Sequence, residues 1–291
     1  MIKVIAADMD GTLLGKNHLV SKNTEEAVKK AHEKGFRFMV VTGRNFISAI
    51  QALDLTDIVC DYIVSSGAQI RDEKRNIIKT IYFPKEECFN LYHKLKNKPV
   101  GIMFCSEMEN YMIGTREEVE DGILNYIKYF YSDPDKIDLK NTDIFRMMWD
   151  KTRIFSSYEE MINKGSKITK VFLVSDHLDL LDSIKKEIEQ NKILAVSSSL
   201  KYNLEVTDIR AEKGPILKEY IESLGYSMNE VMVLGDSLND MSMMNMDFGA
   251  TVAMANADDR IKKVAKYETK SNEEDGVAYV INKMLKIYNM D

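Results

Sequence analysis

Three short apolar runs in this chain each stop abruptly on a polar turn, and that recurrence restricts the fold more than any other feature. Ile2–Ala7 gives way to Asp8-Met9-Asp10-Gly11-Thr12, and Phe36–Val41 to Thr42-Gly43-Arg44. Val231–Leu234 gives way to Gly235-Asp236-Ser237-Leu238-Asn239-Asp240. Short runs rich in Val and Ile and bounded by turn residues read as buried strands. Helical patterns separate them. Ser21 can cap a helix whose Ala27, Val28 and Ala31 recur at helical spacing, with Gly35 placed to end it. Asn45–Leu53 reads as a second helix, and Tyr62–Val64 as a strand running into "SSGA". Further on, "EKGPILKEYIESLG" sets Pro215 in a first helical turn, with Ile216, Leu217, Tyr220, Ile221 and Leu224 at helical spacing and Gly225 at the stop. Thr251–Met254 reads as another strand and Val277–Ile287 as a closing amphipathic helix. Alternation of strand and helix builds an α/β fold, a mostly parallel sheet with helices on its faces.

The middle of the chain has a different texture. It is dense in Tyr, Phe and Met, holds Trp149, and mixes strand-like "KVFLVS" with helix-like "LLDSIKKEIEQ". This predicts an inserted α+β domain over 85–208, between core halves at 1–84 and 209–291. With 40 Lys and Arg against 46 Asp and Glu, the net charge of −6 argues against nucleic acid as a main partner. No apolar stretch reaches the length of about 18 residues that a spanning helix needs, so no membrane is expected. Cys60, Cys88 and Cys105 are far apart and form no CxxC pair, which points to reduced thiols in the cytoplasm and away from a disulfide framework or zinc site.

In open α/β sheets, ligands bind beyond the carboxyl ends of the strands. Those ends here offer the pair Asp8 and Asp10, the Thr42 hydroxyl with amides beside Gly43, and the pair Asp236 and Asp240. Alternation along an extended chain would put Asp8 and Asp10 on one side, with Met9 packing on the other. Carboxylates gathered this closely repel unless a cation sits among them. Hard oxygen donors select Mg2+ or Ca2+, and few protein ligands with room for phosphate oxygens favour Mg2+. Such an ion neutralises a phosphate and orients it for in-line displacement. Thr42 and the amides beside Gly43 can hold phosphate oxygens, and Lys213 offers a positive charge. Each feature alone has a plainer reading: "DMDG" as an exposed β-turn, "TGR" as a strand-to-helix turn, Lys213 as a solvated lysine.

"DMDGTLL", "VTGR", Lys213 and "GDSLND", in that order, resemble the four motifs of the haloacid dehalogenase superfamily. More narrowly, the chain resembles its Cof-type phosphatases (subclass IIB), whose α/β cap is inserted between the second and third motifs. The resemblance implies a Rossmann-like core with residues 85–208 as the cap, and a phosphoric monoester hydrolase activity. It implies Asp8 as the nucleophile that becomes an aspartyl-phosphate, and Asp10 as the acid/base. Thr42, Gly43, Lys213 and Asn239 would bind the phosphoryl group. Asp8, the Asp10 carbonyl and Asp236 would ligate Mg2+, with Asp240 supporting through water or a hydrogen bond. The implied substrate is a small phosphate ester of the sugar phosphate, pyridoxal phosphate or FMN class; the sequence leaves monomer and homodimer both open. A phosphomutase or phosphotransferase would use the same Asp8. A non-catalytic phosphometabolite-binding protein would be expected to lack the nucleophile or acid, and both are present. Ser66 stands where many members carry Asn, and Ala255 where Gly is common. "SNEEDGVA" (271–278) matches the family, which would put Asn272 and Asp275 behind the residues that touch substrate.

Overall fold

Val4–Ala7 forms the first strand, β1, and every residue in it is buried. Consecutive buried residues point to opposite faces of a sheet, so both faces here are covered. Lys22–Glu33 follows as α1, capped by the Ser21 side chain, which accepts a hydrogen bond from the Thr24 N–H. Arg37–Val41 (β2) then pairs in parallel with β1, Val4 opposite Arg37 and Ala7 opposite Val40. Asn45 caps Phe46–Leu53 (α2), and Asp61–Val64 (β3) pairs in parallel with β2. The chain reverses over Ser65–Gly67 into the antiparallel strands Gln69–Arg71 (β4) and Ile77–Thr80 (β5).

In this computed structural model, which describes residues 1–131 and 133–288, the chain divides into two units, Met1–Ile81 with Arg210–Asp291, and Tyr82–Ile209. The second unit contains Lys85–Leu95 (α3), Gly101–Cys105 (β6), Asn110–Ile113 (β7), Arg116–Ile127 (α4), Asp143–Asp150 (α5) and Thr152–Phe155 (β8). Tyr158–Asn163 (α6), Lys170–Val174 (β9), Leu178–Ile188 (α7), Leu194–Ser197 (β10) and Asn203–Asp208 (β11) complete it. Among the described residues its strands run in the order β10–β11–β9–β6–β7–β8, antiparallel except for the parallel pair β7–β8. Alternate residues of β9 explain how the sheet is covered: Val171 and Leu173 join a core with Leu91, Leu181 and Ile184. A second cluster packs Met112 of β7 against Val119, Ile123 and Ile127 of α4 and Phe145 of α5.

The first unit resumes with Lys213–Ser223 (α8), Val231–Gly235 (β12), Met241–Met244 (α9), Ala250–Ala253 (β13), Asp259–Val264 (α10), Tyr267–Glu268 (β14) and Gly276–Ile287 (α11). β12 pairs in parallel with the open side of β1, Val4 opposite Val231 and Ala7 opposite Leu234. The described strands of this sheet therefore run β14–β13–β12–β1–β2–β3–β4–β5. Placing β1 between β12 and β2 brings the three polar turns of the sequence to one end of adjacent strands. Cys60, Cys88 and Cys105 are buried and free.

The reversal after β3 depends on Gly67. Its φ is +101°, and a Cβ there would fall 2.3 Å from the Ala211 carbonyl oxygen, two residues before α8 begins. Gly67→Ala therefore imposes both backbone strain and a clash with main chain that cannot swing aside. The unfolding free energy from denaturant titration should fall by more than about 1 kcal/mol. An unchanged midpoint would refute this account of the corner.

Candidate active site

Asp8 follows β1 directly, its N–H donating to the Leu234 carbonyl at 3.0 Å, and only 3% of the residue is exposed. Facing it is Lys213, the first residue of α8. Despite its position at a helix start, Lys213 is 1% exposed, and it ranks among the largest fully buried side chains of the protein. The solvated reading of this lysine is therefore overturned. Its Nζ donates to Asp8 Oδ1 and to Asp240 Oδ1, both at 2.7 Å, with Asn239 Oδ1 at 3.4 Å. A buried ammonium without such partners would be very costly, so the two acids explain why α8 can begin there.

Asp240 uses its second oxygen to fold its own turn. Oδ2 accepts from the N–H groups of Asp236 (2.9 Å) and Ser237 (3.1 Å). Asn239 Oδ1 also accepts from the Ser237 hydroxyl at 2.7 Å. Asp236 meets the turn after β1: Thr12 Oγ1 donates to its Oδ1 at 2.8 Å. Gly11, at φ +80°, lies so near that a Cβ would sit 2.3 Å from Asp236 Oδ2. Only a glycine admits this approach.

Asp8, Asp236 and Asp240 each offer an oxygen within 4.8 Å of the others. Burial, then the Asp240 charge, push the Asp8 carboxyl well above the usual range, and Lys213 only partly opposes them. Burial and Asp240 likewise push Asp236 up to about 7 against the hydrogen bond from Thr12. For Lys213, burial works against the charge, but Asp240 and Asp8 outweigh it and hold its pKa above the ordinary lysine value. One ammonium among three acids leaves negative charge uncompensated, and the all-oxygen donor set fits a hard divalent cation. With both Asp240 oxygens engaged, Asp8 and Asp236 are the carboxylates with donors to offer.

Asp10 departs from the expected arrangement. β1 ends at Ala7, so strand alternation does not extend to it, and an isolated bridge pairs Asp10 with Leu14 inside a turn. Met9 is fully buried, but the Asp10 side chain is 49% exposed, and its carboxylate lies outside the acidic cluster. Arg44 holds it with two bonds, Nε to Oδ2 at 2.7 Å and Nη2 to Oδ1, and His18 Nδ1 stands 3.7 Å from Oδ1. Enclosure by neighbouring atoms opposes its charge, but Arg44 and then His18 outweigh this and hold the carboxyl well below the usual range. Thr42 is buried one residue past β2, its hydroxyl accepting from the Arg44 N–H at 3.1 Å, with Gly43 between them. Ser66 occupies the left-handed region at φ 60°, which explains why Asn, a residue more tolerant of that region, suits the position. The Ala255 N–H donates to Lys270 O at 3.3 Å. Arg44 and Thr12 had no role from sequence although both lie inside the quoted motifs; the signal was their place beside Asp10 and Gly43.

Comparison with known proteins identifies the family. A family model described as haloacid dehalogenase-like hydrolase matches residues 5–281. The 5-amino-6-(5-phospho-D-ribitylamino)uracil phosphatase YwtE of Bacillus subtilis (strain 168) is 29% identical over 286 residues, covering 98% of each chain. The phosphatase YcsE of the same organism, named for the same substrate, is 28% identical over 280 residues, covering 96% of this chain and 94% of its own. A solved haloacid dehalogenase-like hydrolase from B. subtilis superposes with a TM-score of 0.83 at 26% identity, covering 97% of this chain and 99% of that one.

Two outcomes follow from the charges. Asp8 and Asp236 have raised folded pKa values, so the folded protein in chelator holds more protons than the unfolded chain above about pH 4. Its melting temperature should fall as pH rises from about 5 to about 8, and a divalent cation should remove that slope. Asp10, with its lowered value, acts in the opposite sense but only below that window. A flat or rising curve would contradict the assignment. Lys213→Met should cost about 3–5 kcal/mol at pH 8, and less at pH 6 as the stranded acids take up protons; equal losses at both would count against it.

Proposed function

The chain belongs to the haloacid dehalogenase-like hydrolases and is a phosphatase of that family; from that premise we propose Mg2+-dependent hydrolysis of a small phosphate monoester through an aspartyl-phosphate on Asp8. One observation carries the reading: a buried carboxylate at a strand end with one oxygen tied to a buried ammonium. Lys213 orients Asp8 so that its other oxygen attacks phosphorus, and the same ammonium offsets charge on the phosphoryl oxygens. As the Asp8–phosphorus bond forms, the bond to the leaving oxygen breaks and Asp10 gives that oxygen a proton. Asp10, now ionised, takes a proton from water attacking the aspartyl-phosphate, which releases phosphate and restores Asp8. The Arg44 clamp favours ionised Asp10 and so must loosen when Asp10 carries its proton. Thr42, the amide beside Gly43, and Asn239 hold the phosphoryl oxygens in this reading. Mg2+ held by Asp8, Asp236 and the Asp10 carbonyl would supply charge neutralisation, with Asp240 bracing the turn.

The relatives' names point to the substrate class. 5-amino-6-(5-phospho-D-ribitylamino)uracil carries a primary phosphate on a ribityl chain, as FMN does, so phosphorylated ribityl compounds head the list. The buried, free thiols fit a reducing cytoplasm, and no helix among the described residues is long and apolar enough to cross a membrane.

The test is phosphate release by purified protein from this pyrimidine, FMN, pyridoxal phosphate and a hexose phosphate. Release from at least one, lost in chelator, restored by Mg2+ and absent in Asp8→Asn, is the expected result. Asp10→Asn should keep its metal and lose about 10²–10⁴ in turnover. Isomer formation without phosphate release would indicate a mutase, and no turnover on any compound would overturn the proposal.

A further inference from the structure

The turn that carries Asp10 is gripped from two sides. Thr12 and Gly11 rest on Asp236, as described above. From the other direction come two asparagines on separate loops of the same unit. Asn256, after β13, donates from Nδ2 to the Gly11 carbonyl at 2.8 Å, and its Oδ1 accepts from the Asn272 N–H at 3.0 Å. Asn272 donates from its own Nδ2 to the Leu14 carbonyl at 2.8 Å. Glu273 adds a bond from the Lys16 N–H at 2.7 Å. Leu14 is the bridge partner of Asp10, and its N–H donates to Met9 O at 2.9 Å. The gripped carbonyls thus both lie in the turn that follows Asp10, at Gly11 beside it and at its bridge partner Leu14.

The geometry of the pair is specific. Asn256 sets its oxygen against an N–H and its nitrogen against a C=O, so a flipped amide would face like against like at both ends. The loop behind Asn272 is itself pinned: Thr269 Oγ1 donates to Gly276 O at 2.7 Å, and the Gly276 N–H to Ser271 O at 2.9 Å. Asp275 accepts from the Ser21 hydroxyl and from Asn23 Nδ2, which ties the far end of the same segment. Asn256 is exposed and Asn272 half-buried, so neither fills the core. What they fix is the direction of peptide groups at Gly11 and Leu14.

We propose that Asn256 and Asn272 are positioning residues for proton transfer: through the Gly11 and Leu14 carbonyls they hold the Asp10 turn where its carboxyl reaches the leaving oxygen. This rests on the reading of Asp10 as acid/base. Misplacement by about 1 Å can cost about 10²-fold in rate, and the loss falls chiefly on the substrate that needs the proton.

The experiment uses two substrates that differ in their need for that proton. An alkyl phosphate requires a protonated leaving oxygen, whereas 4-nitrophenyl phosphate releases a stable anion. The ratio kcat/KM reports steps up to leaving-group departure, so the later water attack does not enter. Asn256→Asp keeps the shape and the acceptor for Asn272 but turns an oxygen on the Gly11 carbonyl. It should lower kcat/KM for the alkyl phosphate about 10²-fold and for the aryl phosphate less than about threefold, with the melting temperature unchanged. Asn272→Ala, which withdraws the Leu14 bond without adding charge, should show the same bias and decides the matter should the first variant fail to fold. Equal loss on both substrates, or none, would overturn the inference. Asp10→Asn is the control. A biased loss there with none in the asparagine variants removes the inference alone, whereas no bias in Asp10→Asn removes the acid/base reading beneath it.

Discussion

The ammonium of Lys213 between Asp8 and Asp240 is the interaction on which the catalytic unit depends. It joins the end of β1, the start of α8 and the turn after β12, three segments from both halves of the core. A charge removed from water this completely is tolerable only if its partners are in place, so the three segments are committed to one arrangement. The same burial makes the lysine useful chemically. Fixed in a water-poor setting, it acts on nearby charge more strongly than a solvated lysine could.

Around that centre the acids divide by environment. Asp240 is consumed by Lys213 and by two backbone N–H groups of its own turn. Asp8 and Asp236 keep raised proton affinities, the mark of charge without full compensation. Asp10, only two residues from Asp8, is held by Arg44, and its proton affinity moves in the opposite direction. Both shifts run opposite to what a nucleophile at Asp8 and a proton donor at Asp10 would need. In the proposed reaction the charge around Asp8 would therefore have to be offset by a divalent cation, and the Arg44 clamp would have to loosen.

Much of this was legible in the residues, and what was not has a physical reason. The strand ends and caps could be read locally, because Ser21, Asn45 and the apolar runs act on their own neighbours. The destination of Lys213 could not: its burial is decided by Asp8, 205 positions away, and its own flanks look like an exposed helix start. The partner of Asp10 could not be read either: β1 ends at Ala7, and Arg44, 34 positions on, sets the carboxylate. Asn256 left no trace, since a side chain bonding to main chain needs no matching residue type at Gly11.

The position of β1 at the middle of its sheet has a consequence for synthesis on the ribosome. Its first partner, β2, emerges soon after it, but β12 pairs with Val4 only through Val231. At cellular elongation rates of about 5–20 residues per second, the open side of β1 waits roughly 10–45 s for that partner. The intervening unit, Tyr82–Ile209, is continuous in sequence and has its own core, so it can fold during the delay. The acidic site, which needs strand ends from both halves, therefore cannot assemble until β12 has emerged, and until then the nascent chain carries one open apolar edge on β1.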